Sequence, residues 1–183
     1  METEDIAAYG RRKLNDKRVD LIVGAFKLLP DRELVVIGDG PERARIAGAA
    51  GPNVRLLGRL PDAERDAWLG NARGFVFAAE EDFGIAPLEA QAQGTPVIAY
   101  GRGGALETIR GLDDAAPSGV LFSEQTAEGI AAGVRMFEAN AHRITQSACR
   151  DNAARFSAEH FRREFAAFVR ARQVEFSAVA STQ

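Results

Sequence analysis

"GFVFAAEEDFGIAPLEAQAQGTPVIAY", residues 74–100, holds a complete strand–turn–helix–strand unit, and its reading decides the fold. "GFVFAA" (74–79) is short and almost continuously apolar, the pattern of a strand covered on both faces, and "TPVIAY" (95–100) reads as its successor. Between them Pro87 to Gln93 reads as a helix. Proline suits its first position, where an N–H would find no partner, and Gly94 suits its end.

The same alternation extends in both directions. "DIAAY" (5–9), "ELVVIG" (33–38), "NVRLLG" (53–58) and "GVLF" (119–122) read as further strands. Arg18 to Leu29, "PERARIAGAA" (41–50), "PDAERDAWLGNA" (61–72) and the short "GALETIR" read as helices between them. Two helical stretches, 126–139 and 142–156, follow, and 158–175 forms a C-terminal helix; "LDDAAPSG" (112–119) is a loop. Strands alternating with helices across short loops give βαβ units. The expected class is therefore α/β: a Rossmann-like, doubly wound parallel sheet of about six strands with helices on both faces. Residues 1–183 are expected to form one domain. Strand order is left open.

Composition narrows the function. A hydrophobic fraction of 46% and a charged fraction of 27% are those of an ordinary globular protein. The net charge of −3 argues against a general nucleic-acid binder, which carries a basic excess. One cysteine, Cys149, forms no internal disulfide, so a reducing, cytosolic setting is expected. No apolar run approaches the roughly 18–20 residues of a membrane span. The opening "METEDIAAYGRRKL" is not expected to be a secretory signal.

In a doubly wound sheet, ligands lie beyond the carboxyl ends of the strands, where helices begin. The polar stretches of interest all fall at such crossings. Glu81 and Glu89 bracket the turn that opens the helix after residue 79. The N–H groups of Phe83, Gly84, Ile85 and Ala86 there have no carbonyl one turn back and are free to point at an anion; Gly84 lets a ligand approach the backbone. Carboxylates beside a bare phosphate are unfavourable. They fit an anion flanked by hydroxyl groups, because an ionised carboxylate accepts two hydrogen bonds from a vicinal diol. A nucleoside diphosphate sugar has that layout. The residues alone fit equally well with Glu89 countering the helix dipole and Glu81 standing in solvent.

"GRRKLNDKR" (10–18) sets Arg11, Arg12, Lys13, Lys17 and Arg18 before a helix, where cations suit a diphosphate; a solvated basic face is the alternative. "VIGDGPERARI" (36–46) opens like a dinucleotide fingerprint, with Gly38 and Gly40, but Arg43 stands where the third glycine belongs. That lowers the case for a nicotinamide or flavin cofactor. "LLGRLPD" (56–62) ends in a turn at Arg59 and Leu60 whose backbone suits a nucleobase edge, or is an ordinary turn. Gly101, Gly103 and Gly104 precede Glu107 in a turn that also suits the anion. His142 and His160 lie far along the chain from these turns, and no Cys/His metal spacing, nucleophile elbow or Walker A run is present.

Taken together these stretches resemble the C-terminal, donor-binding half of a GT-B fold glycosyltransferase of family 4. The marks are the Arg12…Lys17 loop, the Gly-Asp-Gly-Pro turn at 38–41, "NVRLLGRL", and a Glu-x7-Glu segment with Phe-Gly inside, here Glu81, Phe83, Gly84 and Glu89. "GTPVIA…GGALE" also matches, and the order holds over roughly residues 8 to 170. The resemblance implies that Arg12 and Lys17 hold the donor diphosphate and stabilise the departing nucleotide. It implies that Glu89 binds ribose hydroxyls, Glu81 the transferred sugar, and the Phe83–Ile85 amides the sugar or phosphate. Gly38, Gly40, Arg59 and Leu60 complete the implied donor site. Transfer with retention and without a bound metal or other cofactor is implied. The string 80–108 looks most like bacterial mannosyltransferases of polysaccharide and O-antigen assembly, which makes GDP-mannose the preferred donor.

A GT-B enzyme needs a second, acceptor-binding domain before this one, so the chain is expected to bind nucleotide sugar and, alone, to transfer nothing. The acceptor implied is a sugar or a lipid-linked sugar. Alternatives are a non-catalytic nucleotide-sugar-binding module and half of a sugar-nucleotide epimerase. "EHFRREFAAFVRARQVEF" (159–176) is expected to pack on its own domain, with a helix lying at the inner membrane face as the alternative.

Overall fold

The computed structural model describes the backbone of residues 6–10 and 17–180, and the side chains of Ile6 and residues 17–173. Arg11, Arg12 and Lys13 lie outside the described residues. The alternation runs β1 (Ile6–Gly10), α1 (Val19–Phe26), β2 (Leu34–Gly38), α2 (Arg43–Ala49), β3 (Val54–Gly58) and α3 (Asp62–Asn71). It continues through β4 (Gly74–Phe77), α4 (Ile85–Ala92), β5 (Val97–Tyr100), α5 (Ala105–Thr108) and β6 (Gly119–Phe122). Then follow α6 (Ala127–Asn140), a 3-10 turn over Ala141–Arg143, α7 (Gln146–Ala154) and α8 (Ala158–Ala180). The chain divides into two compact units, Met1–Ala153 and Ala154–Gln183.

Every strand pair is parallel, in the order β3-β2-β1-β4-β5-β6. The doubly wound six-stranded sheet expected from sequence is present, and the order that sequence left open is now fixed. It places β1 beside β4, the point at which successive strands switch from one side of β1 to the other.

Alternation along the strands builds two cores. Leu34, Val36, Val76, Ala78, Ile98 and Val120 face α1 and α6, meeting Val19, Ile22, Phe26, Ile130, Val134 and Phe137. Val35, Ile37, Phe75, Phe77, Val97 and Ala99 face the other way, onto Leu69 of α3, Ala86 and Ala90 of α4, and Ala105 of α5. With both faces covered, β2 and β4 are buried at every residue.

Three helix starts differ from expectation, each at a proline. Pro87 is the third residue of α4, not the first, because Gly84 turns the chain at φ 82° and the helix begins at Ile85. Proline is tolerated there since first-turn N–H groups have no helical acceptor. Pro61 caps α3 from outside, and α2 begins at Arg43, two residues past Pro41. Residues 142–156 split into the 3-10 turn and α7, while α8 runs to Ala180, past the expected end at 175.

A buried polar network ties α4, α5, β6 and α7 together. Gln91 Nε2 donates to Thr108 O at 3.0 Å, and Asn152 Nδ2 donates to Gln91 Oε1 at 2.7 Å and Thr108 O at 2.8 Å. Beside it Cys149 is fully buried, its thiol donating to Ser118 O at 3.6 Å. Burial pushes this thiol up from 9.0 to about 12, with Arg150 pulling more weakly the other way.

In the unfolded chain the thiol ionises near 9.0, whereas the folded protein holds its proton to about 12. Between those values the unfolded state binds fewer protons, so stability falls as pH rises through the window. Urea unfolding at pH 8 and pH 10.5 is expected to show that fall, and Cys149→Ala to remove part of it. In the native protein at pH 8, a thiol reagent is expected to label Cys149 only at the rate of unfolding.

Candidate active site

At the switch point the chain leaves β1 for α1 on one face and leaves β4 for α4 on the other. A cleft of about 350 Å³ opens at the carboxyl edge there, walled by Lys17, Glu81, the turn Asp82–Ala86 and Glu89. The acids that sequence set on either side of a helix start therefore do face one cavity.

Lys17 comes from the β1–α1 loop. Its ammonium forms an ion pair with Glu81 Oε1 across the cleft, both side chains about one quarter exposed, and lies 6.0 Å from the Phe77 ring centroid. The next residue, Arg18, adopts a left-handed conformation at φ 53°, the only described non-glycine to do so. Arg18 Nη1 donates to Gln125 Oε1 at 3.3 Å, and Gln125 Nε2 donates to Ala78 O at 2.8 Å. That relay ties Arg18, next to Lys17, to Ala78 just past the end of β4, three residues before Glu81.

Behind the turn stand two glycines. Gly104 N donates to Glu81 O at 2.7 Å. A Cβ on Gly104 would meet the Asp82 carbonyl and lie 2.6 Å from Phe83 Cα; one on Gly103, at φ 56°, would lie 2.5 Å from Glu81 O. These glycines, read from sequence as flanking an anion, let the β5–α5 turn seat the acidic loop from behind. Gly101 packs against Leu121 and Phe122.

Glu89 sits one turn into α4 with its side chain 22% exposed, its Oε1 3.8 Å from Nη1 of Arg65. Arg65, on α3, is 6% exposed, and sequence reasoning missed it. Its position in an otherwise polar helix start reads as surface charge, and only the packing of α3 on α4 turns it inward. Gln125 and Asn152 were missed for the same reason: their partners are 34 to 107 residues distant.

The remaining expected residues lie on the same sheet edge, outside the walls of this cleft. Gly38 ends β2 at φ 126°, paired in register with Gly10 of β1. Gly40 N donates to Asp39 Oδ1 at 2.8 Å. Arg59 is exposed past β3, and Leu60 is half-buried against the second core. Asn53, in the "NV" of that strand, donates to Phe26, Leu29 and Arg32 carbonyls and closes the end of α1. Phe83 and Ile85 are exposed at the cleft mouth. In the second unit Phe161 and Phe165 stack at 5.6 Å, and both are exposed together with Phe168. No helix of the described residues is long and apolar enough to cross a membrane.

The family model described as glycosyl transferases group 1 matches residues 1–156. A phosphatidyl-myo-inositol mannosyltransferase of Propionibacterium freudenreichii is 40% identical over 100 residues, 51% of this chain and 25% of that protein. A GDP-mannose-dependent monoacylated alpha-(1-6)-phosphatidylinositol monomannoside mannosyltransferase of Corynebacterium glutamicum is 35% identical over 109 residues, 54% of this chain and 29% of that protein. The solved sucrose-phosphate synthase of Thermosynechococcus elongatus superposes with a TM-score of 0.78 at 26% identity, over 96% of this chain and 47% of its own. The chain thus spans about a quarter of the length of these curated relatives.

The glycine seat gives a direct test. Gly104→Ala is expected to cost about 1–3 kcal/mol in urea unfolding, because the new methyl collides with backbone rather than a movable side chain. Gly24→Ala, whose Cβ would lie an ordinary 3.5 Å from Ala127, is expected not to destabilise.

Proposed function

The chain belongs to the glycosyl transferases group 1 family, and from that premise we propose that it is the donor-binding part of a retaining glycosyltransferase that holds a nucleoside diphosphate sugar in the β1/β4 cleft. GDP-mannose is the preferred donor. The observation that carries the reading is the meeting of Glu81 and Glu89 in one cleft, on either side of the start of α4, with Lys17 beside Glu81.

The roles follow from charge and reach. The diphosphate lies at the first turn of α4, where the Gly84 and Ile85 amides and the helix dipole favour an anion. The Phe83 amide joins them. Lys17, with Arg12 from the same loop, supplies the cationic charge; as the anomeric C1–O bond breaks, its electrons pass to the diphosphate, which these groups stabilise. No metal is required in this scheme. Glu89 accepts hydrogen bonds from the ribose hydroxyls and Glu81 from hydroxyls of the transferred sugar. Entry of the diphosphate offers Lys17 a new acceptor and frees Glu81 for the sugar. Gly38, Gly40, Arg59 and Leu60 form the neighbouring wall for the base. The two mannosyltransferase relatives support the sugar, and the GDP-mannose dependence of the Corynebacterium protein supports GDP-mannose.

A sugar or lipid-linked sugar acceptor would be held by a second, N-terminal domain, in bacterial polysaccharide or lipopolysaccharide synthesis on the cytoplasmic side, with the inner membrane face as its place. By this reading the present chain binds donor and alone transfers nothing.

Thermal denaturation with GDP, UDP, ADP and GDP-mannose tests the proposal. At a hundredfold excess over Kd, ligand adds about 2.7 kcal/mol and raises Tm by several degrees. GDP-mannose is expected to give the largest rise. Glu81→Ala is expected to reduce GDP-mannose to the level of GDP, whereas Glu89→Ala and Lys17→Ala lower both. Equal shifts in all variants, or none with any nucleotide, would overturn the reading.

A further inference from the structure

We propose that Arg65 is the positioning residue for Glu89: it holds that carboxylate at the wall of the cleft and so sets how strongly the protein distinguishes a nucleotide with ribose hydroxyls from one without. The inference rests on the ribose role given to Glu89 above.

Arg65 is the fourth residue of α3, its amide donating to Pro61 O at 3.0 Å. The guanidinium is forked between acids of its own helix. Nη1 donates to Asp62 Oδ1 at 2.8 Å; Nε and Nη2 donate to Asp66 Oδ1 at 2.9 and 2.7 Å. Those bonds fix the plane of the group, and Glu89 Oε1 of α4 then lies 3.8 Å from Nη1.

The three acids are not equivalent. Asp62 is 73% exposed and Asp66 36%, so water screens much of their attraction to Arg65. Glu89 is 22% exposed and Arg65 only 7%, so this pair is the least screened of the three. A guanidinium keeps its charge at any working pH. Glu89 therefore has a fixed positive charge behind it while it lines the cleft, its Oε2 buried.

Binding of GDP and of 2′,3′-dideoxy-GDP, measured by calorimetry on the whole chain, separates these roles. The parent is expected to bind GDP roughly tenfold or more tighter than the dideoxy analogue, the scale of hydrogen bonds to a charged acceptor. Arg65→Met keeps the apolar stem. It is expected to bring the ratio within about twofold while affinity for the analogue changes little. Arg65→Lys keeps charge without the fork and is expected to retain part of the ratio; it carries the test if Arg65→Met does not fold. In a double-mutant cycle, Arg65→Met added to Glu89→Gln is expected to leave the ratio where Glu89→Gln put it.

Equal loss of affinity for both nucleotides, with the ratio preserved, overturns the inference and leaves the proposed function intact, because Arg65 is then a structural link. A parent that binds GDP with no ribose preference overturns the role of Glu89 and this inference together. A parent that binds no nucleotide overturns the proposed function itself.

Discussion

The site depends on a constraint of sheet geometry. Where β1 and β4 lie side by side, α1 must cross to one face and α4 to the other, since each face needs its own apolar cover. Between the two helix starts a cleft remains. Both loops lead into helix N-termini, so unsatisfied N–H groups and positive dipole ends gather there. The fold supplies an anion-favouring position before any functional side chain is chosen. What distinguishes this chain is the set of residues spent on that position: one lysine and a pair of glutamates, with glycines behind.

Holding those residues requires support from the rest of the unit. The Gly103–Gly104 turn presses directly on the backbone of residues 81–83, at distances that no larger residue allows. Gln91, two residues beyond Glu89, is locked by Thr108 and Asn152, so the helix that presents Glu89 is anchored from α5 and α7. Buried amide groups left without these bonds would each cost about 1–3 kcal/mol, so the network resists rotation of α4 about its axis. On the opposite side the Arg18–Gln125–Ala78 relay holds the Lys17 loop in a left-handed turn that a non-glycine residue adopts only under constraint.

Much of this was legible in the sequence, for reasons that can be named. Apolar runs bounded by glycine and proline placed all six strands, since both-face burial leaves an unbroken hydrophobic signature. Glu81 and Glu89 were recognisable because a single local turn carries both, and local geometry is what sequence spacing encodes. Arg65 was not, because its partner lies 24 positions away on another helix and a charged residue in a polar segment carries no sign of burial. Gly104 was legible as a special position, but its close contact with the backbone of Asp82 and Phe83 was not, since a backbone contact and a ligand contact leave the same glycine. Proline marked each helix start to within two residues. It could not give the exact residue, because every first-turn position tolerates a missing N–H.

The charge balance of the cleft bears on what can enter it. Among the described walls, Glu81, Asp82 and Glu89 face Lys17, with Arg65 standing behind Glu89. Like charges about 4 Å apart repel by roughly 4 kcal/mol at the effective dielectric near a protein surface. A small inorganic anion at the helix start would keep Lys17 and the amides but would meet only repulsion from these carboxylates. A ligand with its charge confined to the centre and hydroxyls at both ends meets different terms. Its anion lies at the helix start and the lysine, and each carboxylate gains hydrogen bonds worth about 1.5–3 kcal/mol. Under the proposed function, the acids that would repel phosphate become the groups that admit a sugar-capped diphosphate. Selectivity would then come from the spacing between unlike parts of one ligand, so loss of either glutamate would weaken discrimination at its own end and leave the anion site in place.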